Sequence, residues 1–94
     1  MKWLEFIKVR TNKTRKQSFY TNLLNDAALS REVPGLVKAK LYVHATLPED
    51  LSICLTWNTA QPKAEGSELG IGLVYELRKS GLVDHTVWIE WCSN

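Results

Sequence analysis

The sequence predicts a two-layer α+β domain, with two helices covering one face of a four-stranded antiparallel sheet. Three observations carry this. Four segments read as strands and two as amphipathic helices, in the order β-α-β-β-α-β. The middle two strands alternate apolar and polar so cleanly that one of their faces is apolar and the other polar. Finally, the chain has 94 residues, enough for a single domain around one core.

The first strand spans 3–10, "WLEFIKVR". Apolar residues nearly fill both parities, as in a central strand covered on both faces. The side taken by Glu5 therefore stays open. Thr14 and Gln17 form a capping box that opens a helix. Phe19, Tyr20, Leu23, Leu24 and Ala27 give it one apolar stripe. The helix must stop by Val33, because Pro34-Gly35 breaks it.

In 36–45, Val37, Ala39, Leu41 and Val43 share one face, and Lys38, Lys40, Tyr42 and His44 the other. "TLPED" makes a turn. In 51–58, Leu51, Ile53, Leu55 and Trp57 lie opposite Ser52, Cys54, Thr56 and Asn58. Together these two strands read as a β-hairpin. "TAQPKAEG" is a loop. Ser67 caps a second helix, 68–80, with Leu69, Leu73, Val74 and Leu77 inward and Gly81 as C-terminal cap. The last strand is 82–91. His85, Val87, Ile89 and Trp91 have the core parity, and Thr86, Trp88, Glu90 and Cys92 the other. The arrangement is the ferredoxin-like, or split βαβ, one.

Composition excludes several functions. Twelve Lys and Arg against ten Asp and Glu leave a net charge of +2, too mild for a nucleic-acid footprint. The basic run "KTRK" reads as a solvated helix start. "LSICLTWN" lacks the aromatic motif of RNA-recognition modules, so no nucleic-acid partner is expected. "MKWLEFIKVR" has no apolar h-region, and no apolar run approaches the roughly 20 residues that span a membrane. A cytoplasmic protein with no membrane partner and reduced cysteines is expected. The sequon Asn12-Lys13-Thr14 then reads as chance. Cys54 and Cys92 have no metal-ligand spacing, and strand 1 would separate their strands by roughly 10 Å, too far for a disulfide. Gly70 and Gly72 make no dinucleotide fingerprint.

One face of the sheet stays uncovered. It carries Tyr42, His44, Ser52, Cys54, Thr56, Asn58, Thr86, Trp88 and Glu90, joined by Glu5 if its parity allows. A solvated face is the plain reading. Tyr42, Cys54 and Trp88 fit it badly, whereas mixed aromatic and polar residues suit a ligand cavity.

The chain resembles the dimeric α/β-barrel superfamily, in particular its antibiotic-biosynthesis-monooxygenase-like branch. The resemblance spans nearly the whole chain. It rests on the element order, on Pro34-Gly35 leading into strand 2, on Tyr42 within that strand, and on Trp57 closing "ICLTW". It implies a homodimer in which two sheets pack face to face and their polar faces line a barrel.

The function so implied is that of a monooxygenase-like enzyme, cofactor-independent, acting on a small aromatic or polyketide-like molecule. His44 would move a proton and Tyr42 would orient the substrate. Glu5, Lys40, Cys54, Thr56, Asn58 and Trp88 would line the substrate site. The alternative is a non-catalytic binding or assembly module of the same fold, with His44 meeting solvent, Tyr42 a cross-strand packing partner and Trp88 an interface residue. Members of the resembled family that act as oxygenases or haem degraders often carry a His on the second helix, shortly after the strand-3 Trp. "SELGIGLVYELRKSG" has none, so no haem ligand, metal or other cofactor is expected. His85 reads as a satisfied, partly buried core residue, and Trp57 as structural.

Overall fold

The elements run β1 (Lys2–Thr11), α1 (Gln17–Leu29), β2 (Leu36–Val43), β3 (Asp50–Asn58), α2 (Glu68–Leu77) and β4 (Gly81–Ile89). They come from a computed structural model that describes residues 1–11, 17–29 and 33–92, with helix residues 17 and 26–29 described by backbone alone. All strand pairs are antiparallel, in the order β2-β3-β1-β4. The fold is ferredoxin-like α+β, as the sequence predicts.

The core lies between sheet and helices. Odd positions of β1 (Trp3, Ile7, Val9) and of β3 (Leu51, Ile53, Leu55, Trp57) are buried against Tyr20 and Leu24 of α1 and Leu73, Val74 and Leu77 of α2. Trp3 and Trp57 are register partners whose rings stack at 5.5 Å, and the Trp3 Nε1–H donates to Thr59 Oγ1 at 2.8 Å. Such a ring pair adds about 0.5–1.5 kcal/mol beyond area burial.

Glu5 shares this odd parity and is 0% exposed. Its place on the open face is therefore corrected: it points under α2. Glu5 Oε2 accepts from the Ser67 backbone N–H at 3.1 Å and meets His85 Nε2 at 2.7 Å. An oxygen already accepting from a backbone N–H is best served by the tautomer with the proton on Nε2, so His85 donates. Ser67 is the N-cap of α2, and its Oγ accepts from the Gly70 N–H at 2.9 Å. Gly66, just before the cap, sits at φ +99°, a conformation that favours glycine, and a Cβ there would strike the His85 ring. His85 takes the covered face, part-buried and hydrogen-bonded, as expected.

Four local expectations are corrected. A bulge lies between Leu36, paired with Trp57, and Lys38, paired with Thr56. It pushes Val37 out to 55% exposure, and Leu36 takes its place against the core. Helix α2 ends at Leu77, three residues early, with Ser80 turning back onto Leu77. Gly81 starts β4 instead of capping the helix, because a Cβ there would collide with the Arg10 backbone. Strand β4 ends at Ile89, leaving Trp91 96% exposed. The turn before β2 follows its sequence: Leu36 N–H closes on the Val33 carbonyl, with Gly35 at φ +86° after Pro34, a type II pattern. On α1, Tyr20 and Leu24 are buried and Phe19 is half-exposed. The Thr14–Gln17 capping box, the Ala27 side chain and the sequon lie outside what is described.

The two helix glycines separate packing from propensity. A Cβ at Gly70 would collide with the Glu5 carboxylate, whereas Gly72 faces open space. Gly70→Ala should destabilise the fold by about 1–3 kcal/mol despite the better helix former. Gly72→Ala should stabilise it by up to about 1 kcal/mol. Urea unfolding of both variants checks this.

Candidate functional site: the open sheet face

Because odd positions of β1 face the helices, its even positions face away. The register groups the open face into four rows across the sheet. Lys38, Thr56, Leu4 and Trp88 form the first, and Lys40, Cys54, Phe6 and Thr86 the second. Tyr42, Ser52, Lys8 and Asp84 form the third, and Asp50, Arg10 and Leu82 the fourth. Neither helix covers this face, yet Leu4, Phe6, Leu82 and Trp88 are on it. Trp88 is 59% exposed, with its Nε1–H donating to Thr86 Oγ1 at 2.9 Å.

A groove of about 460 Å³ crosses the third and fourth rows. Lys8, Arg10, Tyr42, His44, Asp50, Ser52, Leu82 and Asp84 contribute to its lining. Of the expected site residues, Tyr42 and His44 meet there. Lys40, Cys54, Thr56 and Trp88 share the face in the first and second rows. Asn58 lies at the sheet end, where its Oδ1 accepts from the N-terminal ammonium of Met1 at 3.2 Å. Glu5 is on the opposite side of the sheet.

His44 is already engaged. Its Nδ1 accepts from the backbone N–H groups of Thr46 at 3.1 Å and Leu47 at 3.0 Å. The neutral ring therefore carries its proton on Nε2, the nitrogen that remains to meet a ligand. In that tautomer the ring offers a hydrogen-bond donor, and a proton-accepting role would first have to break the turn.

At the edge of the groove Arg10 grips Asp50 with two exposed hydrogen bonds, Nε to Oδ1 at 3.0 Å and a terminal guanidinium nitrogen to Oδ2 at 3.1 Å. These bonds hold the Asp50 carboxyl below its ordinary value, with the Arg10 charge adding to them, and raise Arg10 in turn. In the second row, burial raises the Cys54 thiol, against weaker opposing effects of a Thr56 hydrogen bond and the charges of Lys38 and Lys40. A raised thiol is a poor nucleophile. Both cysteines are free. Among the described residues, no cluster of three or more His, Cys, Asp and Glu is placed to hold a metal, and no helix is long and apolar enough to cross a membrane.

Leu4, Phe6, Lys8, Arg10, Asp50, Leu82 and Asp84 are open-face residues that the sequence reading did not pick out. A signal was present for β1: Lys8 and Arg10 share the parity of Leu4 and Phe6, and charges at alternate positions mark the uncovered side.

No family model, curated protein or solved structure matches the chain.

Near neutral pH, iodoacetamide should alkylate exposed Cys92 well before Cys54, read by peptide mass; equal rates would mean that Cys54 is neither buried nor raised. The depressed Asp50 means that the Arg10–Asp50 pair stabilises the fold above the unfolded carboxyl range, roughly pH 4, and stops doing so as pH falls through the lower folded value. The gap in urea midpoint between the native chain and Asp50→Asn should therefore be present at neutral pH and close in acid. The pair is exposed, so the gap should be small.

Proposed function

We propose that the open face binds a small apolar molecule and is closed over by a second copy of the chain, the homodimeric arrangement of the dimeric α/β-barrel proteins it resembles. The observation that carries this is the groove. Its volume of about 460 Å³ falls within the usual range of ligand sites, roughly 300–1,000 Å³. Its lining sets an apolar part (Leu82 and the Tyr42 ring) among polar handles (Ser52, His44 and the Tyr42 hydroxyl) and charged groups that offset one another, the Arg10–Asp50 pair and Lys8 opposite Asp84. Phe6 and Leu4 continue the apolar surface beyond it, on a side that the chain's own helices leave bare.

One observation favours catalysis over simple binding: Tyr42 and His44 line the same groove. This is the cofactor-independent monooxygenase-like reading. There His44 Nε2–H and the Tyr42 hydroxyl would orient and polarise a substrate oxygen, which raises the acidity of the adjoining O–H or C–H.

Titration of a labelled sample with small aromatic fragments, followed by amide NMR shifts, tests the binding reading. Shifts should cluster on Lys8, Tyr42, Ser52, Cys54 and Asp84 and spare α2. Shifts on α2 alone, or none at millimolar fragment, would contradict it. Oxygen uptake with a bound fragment, lost in a Tyr42→Phe/His44→Phe double variant, would establish the catalytic form.

A further inference from the structure

The open face has two halves of different charge. In the groove half each base has an acid: Arg10 is paired with Asp50, and Lys8 lies opposite Asp84 in the register. In the other half Lys38 and Lys40 share the face with Leu4, Phe6, Cys54, Thr56 and Trp88, whereas Lys2 at the sheet end lies opposite Glu90, whose N–H donates to the Lys2 carbonyl. The whole chain has an excess of only +2, and this half-face holds two lysines, Lys38 and Lys40, whose register neighbours Thr56 and Cys54 carry no negative charge to offset them. Neither Lys38 nor Lys40 has an ion-pair partner among the described residues. Both lie on edge strand β2, beside Thr56 and Cys54 of β3 in the register. Rows two residues apart along a strand are separated by about 7 Å. Lys40 is thus one row from Tyr42 and Ser52, and Lys38 two.

We propose that the ligand of this face is a flat apolar organic anion, whose ring body occupies the groove and extends over Phe6, and whose carboxylate or phenolate ends at Lys40 and Lys38. This rests on the small-molecule reading above and adds the ligand's charge and orientation. An anion of this kind meets apolar surface along its length and ammonium donors at one end. Those charge-assisted bonds strengthen as a second sheet excludes water. It also relieves the repulsion that two lysine-bearing faces would feel on closing. Single-stranded nucleic acid, which also uses aromatic and basic surfaces, fits less well. Its backbone needs cations along the whole track, and here the uncompensated ones are confined to one half.

The test uses 2-naphthoic acid and its neutral isostere 2-naphthamide as probes. Each is titrated by NMR against the native chain and a Lys38→Met/Lys40→Met double variant. The acid should bind the native chain about tenfold tighter than the amide or better, a difference of about 1.4 kcal/mol. Added salt should erode that preference, and the double variant should lose it while binding the amide unchanged. Equal binding of acid and amide to the native chain overturns the anion assignment and leaves the small-molecule face standing. Failure of both probes at millimolar concentration brings down both. Tighter binding of a short oligothymidylate than of the acid also overturns the proposal, in favour of nucleic acid.

Discussion

The Glu5 carboxylate decides which way the sheet faces. It is wholly buried beneath α2, and its Oε2 is held by the Ser67 amide at the helix N-cap and by His85 on β4. A carboxylate removed from water without such donors costs several kcal/mol. Only the odd register of β1 delivers it to them. The positive end of the α2 dipole adds to the attraction. Gly66 and Gly70 are what let loop and helix come close enough. One side chain thus ties the central strand, the edge strand and the second helix together.

That register has a consequence on the far side. With Trp3, Glu5, Ile7 and Val9 turned inward, Leu4 and Phe6 must point outward, onto a face that no helix covers. Strand β1 is apolar at both parities: one set packs under this chain's helices, and Leu4 and Phe6 of the other set lie on the open face. The hairpin β2–β3 is different. Its outer positions are polar or amphipathic, and they make up the handles around an apolar centre. The functional face is therefore a product of the sheet as a whole, assembled from residues far apart in sequence.

Much of this was legible before any coordinates. The alternation in β3, that of β2 from Lys38 to Tyr42, and the Ser67 cap each rest on local chemistry, and each appears where local chemistry puts it. The failures were of another kind. The side taken by Glu5 is ambiguous in a strand apolar at both parities, and its burial depends on partners 62 and 80 residues away. The Val37 bulge is a pairing event between strands, invisible in either strand alone. Gly81 has the look of a helix cap and instead answers to the backbone of Arg10. His44 has the right residue type and the right face for a base, but its Nδ1 is committed to the turn that follows it. Trp91 continues the core parity of β4 after the strand itself has ended.

On the proposed function, the open face is an interior surface of an assembly. A native mass spectrum of the purified chain at tens of micromolar tests it most directly, with a Phe6→Lys variant alongside, since Phe6 lies at the middle of that face and outside the chain's own core. The account predicts a mass of two chains for the native protein and of one chain for the variant, with the fold of the variant intact by circular dichroism. A native protein that runs as one chain, or a variant that still pairs, would mean that the face meets water or that the copies join elsewhere, and the account would be wrong.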